Sequence, residues 1–243
     1  MKTKFTDEVI KQIKENNAKI TELLEQNEQL IKDTVPQNSF AEAAVDGDDK
    51  INFPKHTIRQ ARSIVSAKKL DLIIPNPVVR KNVAYSYQLA DWYAFMINRI
   101  YTWGSLEKMI LKNGVINLIS IFEALTLECA NNICCSPGAC KAGRKRKCTQ
   151  AFNREERNNI MRALKRMNEL SITSFSEKDL EKIQKYIDFR NRVHIRLTQE
   201  NEFLSGDFKI SVYNNIVEYL SRLSDDILKN GVPMYHSEEC DET

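Results

Sequence analysis

Positions 6, 9, 13, 16, 20, 23, 27 and 30 step along the chain by threes and fours and read Thr, Val, Ile, Asn, Ile, Leu, Asn, Leu. A seam of that spacing predicts a coiled-coil-like helix over residues 1–33, with Asn16 and Asn27 at core positions where they fix register and strand number. Self-association into a homodimer or higher oligomer is its expected use; packing against the chain's own domain is the alternative. Periodicity then disappears over 34–55, where Pro36, Gly47, Pro54 and an acidic cluster predict a linker.

A helical body is expected over 56–235. A short helix near 56–68 precedes "LDLIIPNPVV", whose two prolines break the chain and whose apolar run suits a brief extended piece. Long helices follow at 78–103 and 105–133, split by "TWGS", with Gly104 ending the first and Ser105 capping the second. The second contains "VINLISIFEALTLECANNI", apolar on nearly every face, which marks the central helix of a bundle, and Glu123 lies inside it. Helices at 153–170, 176–197 and 208–230 complete the body, the middle one opened by a capping-box-like pair, Ser176 and Asp179. The end, 236–243, is an acidic tail.

Composition supports the all-α class, because 7 glycines and 6 prolines in 243 residues leave little material for tightly turned strands. The net charge of +3 is too small to declare a nucleic-acid binder, so local clustering decides. No apolar run approaches the roughly 18 to 20 residues of a membrane span, and the first residues lack the apolar block of a signal peptide. A cytoplasmic protein without a membrane partner is expected.

Five of the six cysteines fall within 129–148, a crowding that in a reducing compartment points to metal more than to disulfides. Cys134, Cys135, Cys140 and Cys148 are the expected thiolate ligands of one structural zinc, with Cys129 as an alternate ligand or a buried thiol. The spacing is not that of paired Cys-x-x-Cys sites, and free thiols or disulfides remain alternatives. The same insertion carries Lys141, Arg144, Lys145, Arg146 and Lys147, the start of a stretch to Arg166 that holds ten Lys or Arg against two acids. A phosphate backbone fits such a stretch; a solvated loop facing an acidic surface fits it as well. Aromatic residues do not alternate with these cations, so base stacking is not expected there.

In "DFRNRVHIRL", residues 188–197, the apolar stripe Leu180, Ile183, Ile187 continues as Arg190, His194 and Leu197. A guanidinium on a core-facing stripe requires an anion or water, and Glu123, an acid within the apolar central helix, is the candidate partner. Two roles fit. One is a buried Glu123–Arg190 pair that ties two helices together, with His194 hydrogen-bonded beside it. The other is a cleft in which Arg190 steadies a phosphate and His194 moves a proton, as cleavage of RNA through its 2′-hydroxyl demands.

"FRNRVHI" on the penultimate helix, "FEAL" in the preceding apolar helix and the final "YNNIVEYLSRLSDDI" together resemble the HEPN superfamily (higher eukaryotes and prokaryotes nucleotide-binding) over roughly 78–230. The resemblance implies a metal-independent RNA-cleaving or RNA-binding effector of a prokaryotic toxin or antiviral defence system, partnered by RNA and by an antitoxin or other defence protein. Arg190, Asn191 and His194 match the family's Arg, polar and His positions, and Glu123 supplies the acid. The three residues between Arg190 and His194 are fewer than active members usually have, although an i,i+4 spacing keeps both groups on one helix face. A non-catalytic, oligomerising HEPN-like interaction protein with a zinc-stabilised basic loop is the alternative.

Overall fold

The computed structural model describes residues 6–34, 57–132, 152–191 and 208–230, and all the regular structure among these is helical. The chain divides into two units, Met1–Phe53 and Pro54–Thr243. In the first, α1 spans Asp7–Thr34. Thr6 Oγ1 accepts from the Val9 N–H at 3.4 Å, and Asp7 and Glu8 place negative charge at the positive end of the helix dipole. The seam residues Val9, Ile20, Leu23 and Leu30 are all exposed.

The second unit holds α2 (Ala61–Ala67), α3 (Leu70–Ile73), α4 (Pro77–Arg99), α5 (Gly104–Asn132), α6 (Arg154–Asn158), α7 (Ile160–Glu169), α8 (Glu177–Asn191) and α9 (Ile210–Asn230). Its centre is α5, which packs against α4, α9, α7, α8 and α6. Gly114 shows how closely: a Cβ there would meet the Tyr213 ring of α9 at 3.0 Å and Cβ of Tyr93 in α4 at 3.4 Å. Asn117 of α5 also donates to the Ser86 carbonyl of α4 at 2.9 Å. By length and composition α5 could cross a membrane, which the sequence was not expected to offer; Asn113, Asn117 and Glu123 interrupt the run without lowering its mean hydropathy below 1.4. Half of that window is buried inside the bundle, so it serves here as the core helix.

Three boundaries differ from the sequence expectation. The run after residue 69 is helical, not extended, because one turn of helix sends Leu70, Ile73 and Ile74 into the core together. Ile74 and Asn76, each the residue before a proline, are extended, and Asn76 caps α4 by accepting from the N–H groups of Val78 and Val79, with Pro77 at the first helical position. The helix expected over 153–170 is two helices. Asn153 and Glu156 form a capping box for α6, and Asn159 turns extended so that its side chain accepts from Arg162 and starts α7 afresh. Finally, α4 stops at Arg99, and Ile100 to Trp103 form an exposed connection before Gly104, which takes the left-handed φ of +57° that glycine tolerates.

The start of α8 follows the sequence: Asp179 N–H donates to Ser176 Oγ at 3.2 Å, and Ser176 N–H donates to Asp179 Oδ2 at 3.1 Å. Tyr219 and Arg222 of α9 both donate to the same carboxylate at 3.1 Å, which joins the start of α8 to α9. Burial works against the Asp179 charge, yet the hydrogen bonds from Ser176, Tyr219 and Arg222 together hold its pKa below the ordinary value. Burial, and then its hydrogen bond to Asp179, pushes Tyr219 up to about 12.

Candidate functional site

Helix α8 packs against α5, and its Ile183 and Ile187 are buried, as the stripe predicted. The buried arc is wider than that stripe. Tyr186 and Phe189 are also enclosed, with ring centroids 6.0 Å apart, and Phe189 meets Phe208 at 5.7 Å. Asn215 of α9 donates to the Tyr186 hydroxyl at 3.1 Å. These aromatic contacts fix the rotation of α8, and in its last turn they bring Arg190 to α5. There Arg190 Nη1 donates to Glu123 Oε2 in an ion pair.

The structure thus brings together Glu123 and Arg190 but does not seal them in. Their side chains are 27% and 38% exposed, so water and solutes reach both. A buried ion pair holds its helices because breaking it strands a charge, at about 3 to 5 kcal/mol. A pair this open is worth roughly 1 kcal/mol or less. The pair is thus solvent-accessible on a helix junction, and not the buried knot that was one of the two roles open to it. Asn191 closes α8, and its side chain lies outside the described residues, as does His194.

Cys134, Cys135, Cys140 and Cys148 lie outside the described residues, as do Lys141, Arg144, Lys145, Arg146 and Lys147. Cys129 is described: it is fully buried in α5, and burial pushes its thiol pKa up, which keeps it protonated. Among the described residues no group of three or more His, Cys, Asp or Glu is placed to hold a metal ion. The described part of the basic stretch is partly neutralised from within. Arg162 pairs with Glu155, and Arg166 pairs with Glu169 at 2.7 Å.

Two clefts among the described residues have other linings. One, of about 690 Å³, lies beside Arg59, Asp91, Phe95, Asn98 and Arg99; the other, of about 630 Å³, runs between α7 and α8 beside Lys165, Glu177, Leu180 and Glu181. The sequence expectation did not single out Arg59 and Asp91, which form the most complete ion pair among the described residues. Arg59 donates through its backbone N–H, Nε and Nη2 to the two oxygens of Asp91, at 3.2, 2.8 and 2.6 Å. Asp91 lies one turn beyond Tyr87 on the buried side of α4, and an acid at such a position was the available signal.

Compared with protein families, with curated proteins and with solved structures, the chain matches none of them.

Proposed function

We propose that the protein is a HEPN-like effector that cleaves or binds RNA without a metal at the reaction centre, in a prokaryotic toxin or antiviral defence system. The observation that supports this most is the open Glu123–Arg190 pair at the end of α8, on an all-helical bundle. An arginine held by one carboxylate oxygen keeps further N–H groups for a phosphate, because guanidinium carries five donors. In this account Arg190 holds the scissile phosphate, Glu123 orients Arg190, Asn191 assists, and His194 moves the proton of the 2′-hydroxyl.

The proposed zinc, held by Cys134, Cys135, Cys140 and Cys148, has a structural role, and Lys141, Arg144, Lys145, Arg146 and Lys147 guide the phosphate backbone. Metal analysis of protein purified without chelator tests the first: one zinc per chain is expected, and a reproducible content near zero removes it. An RNase assay in the presence of EDTA tests the activity. Cleavage by the wild type, lost in His194→Ala, is expected; cleavage that persists in His194→Ala refutes the assignment.

One observation favours a second function, a non-catalytic and oligomerising interaction protein. Large apolar side chains are exposed along both α1 and α4, and contiguous apolar surface of this kind marks protein contacts. Normal growth on expression, together with capture of a defined partner by the wild type, would favour it over RNA cleavage.

A further inference from the structure

Residues 57–99, which carry α2, α3 and α4, hold seven Lys or Arg against two acids, Asp71 and Asp91. Asp91 is taken by Arg59. Three of the remaining cations, Arg62, Lys69 and Arg80, come together with Ser66 and Asp71 in a further cleft of about 500 Å³. The fold brings them there, since α2 packs against both α3 and α4, and α3 packs against α4. Arg62 and Ser66 stand one turn apart on one face of α2, Lys69 follows the end of that helix, and Arg80 lies in the first turn of α4.

Two features of this cleft favour an anion. Arg80 is half-buried, yet its guanidinium makes one hydrogen bond among the described residues, from Nη1 to the Ile74 carbonyl at 3.5 Å, the long limit for such a bond. A guanidinium carries five donors, and one that has lost part of its water calls for negative charge. Lys69 holds φ +48° and ψ +41°, the left-handed conformation, just past the end of α2. Glycine takes that position without strain and a lysine does not, so the residue here gives up backbone ease and brings an exposed cation into the lining. Among the described residues none of the three cations forms an ion pair, with Asp71 or with any other acid.

We propose that this cleft binds the phosphate monoester of a small molecule. Three positive charges line it against the one negative charge of Asp71, which leaves a surplus of two. A phosphate monoester carries about −1.5 to −2 near pH 7 and balances that surplus; a diester group, as in a nucleic-acid backbone, carries a single charge and does not. Arg62 and Arg80 hold the phosphoryl oxygens through charge-assisted hydrogen bonds from the α2 and α4 sides, Lys69 adds a point charge, and Ser66 Oγ adds a neutral donor. Asp71 opposes the anion and limits its affinity. A volume of this size falls in the range of small-molecule sites, roughly 300 to 1,000 Å³. This site stands whether or not the chain cleaves RNA, and it does not use Glu123 or Arg190.

The test is calorimetric titration of the full chain with adenosine 5′-monophosphate, with inorganic phosphate as competitor and with 3′,5′-cyclic AMP, the same nucleoside as a diester, as the control for charge. One AMP per chain is expected, displaced by phosphate and weakened by added salt. Cyclic AMP should bind about tenfold more weakly or less, because it offers one negative charge fewer. Arg62→Ala and Arg80→Ala should each weaken AMP about tenfold, Asp71→Asn should tighten it, and Arg190→Ala should leave it unchanged. Lys69→Gly separates binding from folding: it removes the ammonium and relieves the left-handed backbone, so AMP affinity should fall while the melting temperature holds or rises. A wild type that binds neither AMP nor phosphate overturns the proposal, as does AMP affinity that Arg62→Ala and Lys69→Gly leave unchanged. Cyclic AMP bound as tightly as AMP overturns it too.

Discussion

Among the arginine–carboxylate pairs that join separate elements of the described bundle, Arg59–Asp91 and Arg190–Glu123 are built differently. Arg59 meets Asp91 of α4 with its backbone N–H and two guanidinium nitrogens, while the Gln88 side chain donates to the Arg59 carbonyl at 2.9 Å. Hydrogen bonding to Asp91 outweighs the cost of burial and raises the Arg59 pKa above its ordinary value. Arg190 meets Glu123 through one nitrogen and one oxygen among the described residues. The first pair is over-determined and acts as a clamp. The second holds an arginine in place while leaving donors for something else, and that difference separates a structural ion pair from a candidate site.

The comparison can be broken first at the packing that surrounds it. Phe189→Ala should cost about 3 to 5 kcal/mol, because that ring is buried beside Arg190 and fixes the rotation of α8; a loss below 1 kcal/mol in denaturant unfolding would mean that α8 is not anchored as described. Asp91→Ala should cost about 1 to 3 kcal/mol, the usual penalty for leaving hydrogen-bonding groups without their partner. Arg190→Ala should cost no more than about 1 kcal/mol, because its pair is open to solvent. Equal losses in Asp91→Ala and Arg190→Ala would erase the distinction between the two crossings.

The smallest effect expected is a pH dependence from the third charged junction, Asp179 with Tyr219 and Arg222. The folded pKa of Asp179 lies below the ordinary carboxylate value of about 4. Its contribution to stability is therefore complete above that value and is lost as pH falls through the folded pKa. Arg222→Ala should flatten this acid limb of the stability profile; an unchanged limb would contradict the assignment.

Much of this fold was legible because helix periodicity and caps are local. The Ser176–Asp179 box and the central position of α5 needed no tertiary information. Glu123 could be matched to Arg190 because an acid inside an apolar helix needs a counter-charge and Arg190 continues an apolar stripe. What escaped depended on neighbours. Asn159 reads as one more polar residue in a helix until its side chain is seen capping α7. The openness of the Glu123–Arg190 pair was equally hidden, because exposure is a property of how α5 and α8 end up packed.

The central claim is that the Glu123–Arg190 junction is a site and not a clamp, and Arg190→Ala assayed for RNA cleavage and thermal unfolding on the same preparation tests it most directly. The account predicts that cleavage without divalent metal is lost while the melting temperature falls by no more than about 4 °C, the shift that roughly 1 kcal/mol produces in a chain of this size. Cleavage retained by Arg190→Ala, or a collapse in melting temperature with no wild-type cleavage to lose, would contradict it.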